Sequence, residues 1–279
     1  MAFSSSLPAG CLVVDENNWR QFIKPVGADG VSESGYVPRE YGADPIGSGY
    51  ASRPFPDELL IPRSDWKDII EARERNGERL IDRCEKSGVF TLDQNPSFYC
   101  WCYSTIHGVM TQMIAQNEPP RTLVPESVAG PIMNYRKQGG YCSLALAYIA
   151  EHGVADTSAW PWTSHAQANK RQYFEPSRAN AALTIVPEWY DLENFDQKMS
   201  ALLRGMSCPS CYDYEGHATN SVEPIYRDGQ FGVIDIDSYY HRNGDRFHAR
   251  ARMGSKAHSS DTVAIRLVTP NSLPGREVA

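Results

Sequence analysis

At 279 residues and 31.2 kDa the chain is long enough to bury a core without disulfide staples, as one large domain or two modest ones. A net charge of −7 leaves no basic footprint for nucleic acid or anionic lipid, and no stretch approaches a membrane span, so neither nucleic acid nor membrane is expected as a partner. Glycine and proline, 21 and 19 of them, argue against a long-helix bundle, and 7 irregularly spread cysteines do not resemble a secreted disulfide framework, so a reducing compartment is expected.

Residues 1–60 are rich in Gly, Pro, Ser and Tyr and show neither helical nor strand periodicity, which predicts an extended arm ahead of a body over 61–279. The stretch "PRSDWKDIIEARERNGERLIDRCEKSG" predicts a helix capped by Ser64, apolar at Trp66, Ile69, Ile70, Leu80, Ile81 and Cys84, bent or split at Gly77 and stopped by Gly88. A second helix opens near Cys100, with an apolar stripe at Cys102, Ile106, Val109, Met110, Met113 and Ile114. A third runs from about Ser143 to His152, and a fourth uses Leu192, Phe195, Met199, Leu202 and Leu203. Beyond residue 180 the pattern becomes period-two and β-branched, in "ALTIVPEWY", "FGVIDIDSYY" and "DTVAIRLVTP", with turns such as "RDGQ" and "HRNGD". A helical lobe over about 61–165 and a β-rich lobe over about 180–279 make an α+β fold of two lobes, with a cleft between them as the expected site.

The stretch "LDQNPSFYCWCYS" places Cys100 in the first turn of its helix. Unpaired N–H groups and the positive dipole end there favour a thiolate, the form that acts as a nucleophile. A histidine to share the proton and an acceptor to orient the histidine would come from downstream.

This stretch resembles the nucleophile segment of papain-like cysteine peptidases. Gln94, Cys100, Trp101 and Ser104 fill four positions of that pattern. "GGYCSLALAYIAEHGVADTSAWPW" matches the family's Gly-Gly pair at Gly139 and Gly140, its helix, and its Gly-Val step at Gly153 and Val154. His217-Ala218 resembles the histidine strand, and Asp237-Ser238 stands where Asn-Ser is usual. The likeness spans roughly residues 89–270 in the family's order. It implies a papain-like two-lobed α+β fold and a Cys100, His217, Asp237 triad, with Gln94 donating to the oxyanion. Gly139, Gly140 and Trp101 would meet an extended peptide or protein substrate. Over the whole chain there is also a resemblance to papain-like proteins of tailed bacteriophages, which implies a cytoplasmic or virion-associated protein.

The departures are specific. Ser97, Phe98 and Tyr99 replace Cys-Gly-Ser ahead of the thiol, and Lys137 replaces the cysteine before the Gly-Gly pair, so both ends of one family disulfide are missing. "DSYYHRNGD" replaces Asn-Ser-Trp-Gly and leaves only Tyr239 to shelter the histidine. Asp235 and Asp237 alternate on one strand face, so either can be the orienting carboxylate. The arm does not resemble the family's inhibitory propeptide.

"CPSC" at Cys208 to Cys211 has half of a zinc-ribbon spacing with no second CxxC, and reads as a reduced turn. His107, His152, His165, His241, His248 and His258 show no metal-ligand spacing, so neither metal nor cofactor is expected. Three functions remain open: a cysteine peptidase acting on peptide or isopeptide bonds, a structural or interaction protein docking through its arm, and a Cys-His-Asp amidase or acyltransferase.

Overall fold

A computed structural model describes residues 3–27, 32–39, 52–88, 92–239 and 248–270; the "HRNGD" turn and His241 lie outside the described residues. Helix α1 (Arg63–Arg75) buries Trp66 and Ile70, and α2 (Leu80–Ser87) buries Leu80, Ile81 and Cys84. Gly77, at φ +68°, makes the break between them, and Gly88, at φ +76°, ends α2 in the left-handed conformation that suits glycine. Ser64 is not the cap. The helix starts two residues earlier than that cap would give, at Arg63 after Pro62, and the Ser64 hydroxyl donates instead to Asp65 Oδ1 at 2.8 Å.

Helix α3 (Cys100–Ala115) is buried on every side from Cys100 to Ile114, so the expected stripe is only part of its packed surface. It packs against α2 and against the sheet strands described below, and on α5 (Cys142–His152). Short helices α4 (Glu126–Ile132), α6 (His165–Ala168) and α7 (Phe174–Ala181) complete this side of the protein. They carry too few turns for periodicity to reveal them. Helix α8 (Phe195–Leu203) begins at an Asn194 cap whose side chain accepts from the Gln197 N–H. Leu192, assigned to that helix from its spacing, belongs instead to the preceding strand.

The described residues contain an eight-stranded sheet: β1 (Leu12–Val14), β2 (Ser52–Pro54), β3 (Thr184–Leu192), β4 (Cys208–Tyr212), β5 (His217–Arg227), β6 (Gln230–Ile236), β7 (Ala249–Met253) and β8 (Asp261–Pro270). The order is β1-β7-β6-β5-β4-β8-β3-β2. The six strands after residue 180 pair antiparallel. The arm, which lacks strand periodicity, supplies the two outer strands, each pairing parallel with an edge. Three residues are too few to show alternation, and the sheet edge provides the order that the arm's own sequence does not.

"CPSC" is strand β4 rather than a turn. Its two thiols fall on opposite faces, Cys208 in the cluster around Met199 and Leu202 and Cys211 in the cluster around α3, so they cannot share a metal ion. All seven cysteines are free, and the described residues include no cluster able to hold a metal. No helix among them is long and apolar enough to cross a membrane.

Candidate active site

Cys100 opens α3 with its side chain fully buried. The preceding loop is pinned to the strand side of the molecule through Gln94. The Gln94 N–H donates to the Ser238 carbonyl at 3.0 Å, and the Ser238 hydroxyl donates to Gln94 Oε1 at 2.8 Å. This fixes the amide so that Nε2 points inward, where it donates to the Ser34 carbonyl at 3.2 Å. The backbone N–H of Cys100 donates to the same oxygen at 3.1 Å. Two donors converging on one carbonyl oxygen beside a thiol is the geometry that stabilises an oxyanion.

His217 is the first residue of β5, and its Nε2 lies 2.9 Å from Asp237 Oδ1. Asp237 follows β6, and the neighbouring strands place the two residues side by side. Of the two candidate carboxylates Asp237 meets the imidazole; Asp235 accepts from Thr219, Ser221 and Arg252. Tyr239 packs edge-on against the His217 ring at 5.6 Å, the place anticipated for a sheltering aromatic. His217 and Asp237 are both fully buried. Burial opposes the Asp237 charge, but Arg250 and then His217 overcome it and hold the carboxyl well below its ordinary range. Burial pushes the His217 imidazole down, against the pull of Asp237 and Glu215.

The groove between these groups is filled by the arm. The Ser34 hydroxyl lies 3.4 Å from Cys100 Sγ and donates to the Gly216 carbonyl at 2.6 Å, so one side chain bridges the thiol and the residue before His217. Gly140 donates to the Gly35 carbonyl at 3.0 Å, and the Val37 N–H donates to the Gly140 carbonyl at 3.1 Å, with Tyr36 and Gly140 paired parallel. Tyr36 is buried, its hydroxyl bonded to Asp213. Gly35 sits at φ +93°, and a Cβ there would fall 1.7 Å from the Phe98 carbonyl oxygen. Nearer the N-terminus, Lys24 lies 3.6 Å over the Tyr239 ring and its N–H donates to the Glu215 carbonyl at 2.8 Å. Under this cover burial pushes the Cys100 thiol up to about 12, opposed by the Ser34 hydroxyl and the Ala218 N–H. His217 Nδ1 makes no hydrogen bond among the described residues.

The remaining residues singled out from sequence divide by depth. Gly140 is buried and pairs with the arm, whereas Gly139 is half-buried beside it. Trp101 is wholly buried, and its indole lies against Gly140, where a Cβ would come within 2.7 Å of the ring. It supports the Gly140 edge from beneath rather than lining the groove. Tyr99 turns into the core and donates to the Arg136 carbonyl at 2.8 Å, so its bulk does not narrow the groove; the Phe98 backbone does, by abutting Gly35. Lys137 lies 5.5 Å over the Phe98 ring. Sequence reasoning missed Ser34, Lys24, Glu215 and Arg250. The last had a signal: "ARARM" alternates arginine with alanine on a strand, which puts both arginines on one face.

No protein-family model and no curated protein sequence matches the chain. Solved structures do. Xylellain, a cysteine protease from Xylella fastidiosa, is 13% identical with a TM-score of 0.56 over 84% of this chain and 96% of its own. Digestive procathepsin L2 from the Tenebrio molitor larval midgut is 14% identical with a TM-score of 0.56, covering 91% and 86%. A procathepsin B from Trypanosoma congolense is 12% identical with a TM-score of 0.55, covering 86% and 88%. With this strand order, Cys100 heading its central helix and His217 heading its central strand, the chain has the fold of the papain-like cysteine proteases.

Proposed function

We propose that the protein is a papain-like cysteine peptidase held latent by its own N-terminal arm. Support comes chiefly from one oxygen: the Ser34 carbonyl accepts from both Gln94 Nε2 and the Cys100 N–H, as the carbonyl of a bound peptide substrate would. Once the arm leaves, water lowers the desolvation that keeps the thiol protonated, and the Cys100 proton passes to His217 Nδ1. The thiolate attacks the substrate carbonyl carbon, and the oxyanion takes the place of the Ser34 oxygen. The imidazolium, its Nε2–H directed at Asp237, gives its proton to the leaving amine as the C–N bond breaks. Water attacks the thioester with His217 as base, releasing the acid and restoring the thiol. Gly139 and Gly140 offer a backbone edge to an extended peptide. That solved pro-forms are among the similar structures agrees with a latent state.

A second reading, a structural or interaction protein on this fold, is favoured by the sealed groove and by the absence of a hydrogen bond between Cys100 and His217. Peptide-library cleavage after limited proteolysis within residues 1–60, compared with the Cys100→Ala variant, decides between them. Cleavage dependent on Cys100 is expected. Equal signal in both proteins, or none in either, overturns the peptidase reading, and Cys100-dependent turnover of amides other than peptides makes the protein an amidase or acyltransferase.

A further inference from the structure

Behind His217 lies a set of charged side chains with no solvent exposure: Glu215, Asp235, Asp237, Arg250 and Arg252. Arg250, on β7, forks between two of them. One guanidinium nitrogen donates to Glu215 Oε1 and another to Asp237 Oδ2. Arg252 donates to Glu215 Oε2 at 2.6 Å and to Asp235 Oδ2 at 2.7 Å. Glu215 precedes His217 by two residues and Asp237 follows β6, so Arg250 ties the segments carrying imidazole and carboxylate to one rigid planar group. Burying so many charges is a poor route to stability, because apolar residues of similar volume usually serve as well. The arrangement is better explained by what it orients. Asp237 presents Oδ1 to His217 Nε2 and to the Tyr239 N–H, and that leaves Oδ2 to Arg250.

We propose that Arg250, fixed by Glu215, is a positioning residue: it turns the Asp237 carboxylate so that Oδ1 meets His217 Nε2, and thereby sets the tautomer and basicity of the imidazole. This rests on the peptidase reading only in naming His217 as the group that is served. The charged and titratable groups facing the pair are Arg250 and Arg252 from β7, Asp235 from β6, and Glu215 before β5. Among the described residues His248 ahead of β7, Tyr239, Lys24 of the arm and Cys100 of α3 join them.

The test follows His217 by NMR in full-length protein labelled with 15N-histidine, so it needs no turnover. In Arg250→Met the Asp237 carboxylate is no longer held from its far oxygen, so the 15N shifts should show neutral His217 leaving the Nε2–H tautomer that Asp237 selects, and its titration midpoint should fall by about one pH unit as that support weakens. Arg250→Lys, which keeps the charge, should stay closer to the unaltered protein than Arg250→Met does. Glu215→Gln should move the midpoint down, because Arg250 is then less compensated. If Arg250→Met fails to fold, Glu215→Gln carries the test. Variants that melt at lower temperature but leave the tautomer in place would show a merely structural role and overturn the proposal. Because Glu215 also pulls on His217 directly, the midpoint shift in Glu215→Gln does not decide the matter; loss of the Nε2–H tautomer in that variant would sustain the proposal even if no peptide is ever cleaved, an unchanged tautomer would overturn it, and the two readings therefore fail separately.

Discussion

Replacing Gly35 by alanine should open the groove. Glycine is required there twice over: φ is +93°, and the added Cβ would fall 1.7 Å from the Phe98 oxygen and 2.1 Å from its carbonyl carbon. Those are backbone atoms of the segment that feeds α3, so they cannot yield without moving Cys100. The arm is held at the thiol by four backbone-directed hydrogen bonds, two to the Ser34 carbonyl and two to Gly140. At about 1 kcal/mol each, they make the open form roughly a thousandfold rarer than the closed one. Forcing alanine into the left-handed region costs about 1–2 kcal/mol before any overlap is counted, so the open fraction should rise roughly tenfold or more. Where opening is fast relative to chemistry, reaction of a covered group tracks the open population. The assay is iodoacetamide labelling of Cys100, read site by site by mass spectrometry, with the buried Cys84 and Cys208 as internal controls. A Cys100 rate within twofold of the unaltered protein, in a variant that remains folded, would refute the claim that this segment seals the site.

The pH dependence of the same labelling should differ between the two proteins. With the arm seated the rate should climb with pH toward about 12, and in Gly35→Ala it should level off at lower pH because water reaches the sulfur. Tyr36→Phe removes the hydroxyl that meets Asp213 and should speed labelling about threefold to tenfold, the worth of one partly exposed hydrogen bond. Burial opposes the Glu215 charge, but Arg250 and Arg252 lower its pKa from an ordinary 4.5 to about 2. A folded pKa below the unfolded one stabilises above the unfolded value, so urea midpoints should fall as pH drops from about 4.5 toward 2. The linked loss is on the order of 3 kcal/mol, and Glu215→Gln should show a shallower decline. Trp101→Ala empties a wholly buried indole site beneath Gly140 and should cost about 3–5 kcal/mol in urea unfolding, read from the midpoint shift.

Local signals in the chain determined a good deal. Three- and four-residue spacings located α1, α3 and α5, Gly77 and Gly88 marked real breaks, and period-two runs located β3, β6 and β8. These signals are legible because each reflects a backbone or burial requirement met within one element. The order of Gln94, Cys100, Gly140, His217 and Asp237 was likewise legible through resemblance. Tertiary structure alone decided which carboxylate meets His217, because the period-two spacing puts Asp235 and Asp237 on the same side and only the partners brought across, Thr219, Ser221 and Arg252 for one and Arg250 with His217 for the other, tell them apart. It also decided the part played by the arm. Residues 32–37 have no periodicity to read; their conformation is set by donors and acceptors on Gln94, Cys100 and Gly140, more than fifty residues away in sequence. Such pairings depend on the completed surface against which the segment lies, and no short window of sequence contains that surface.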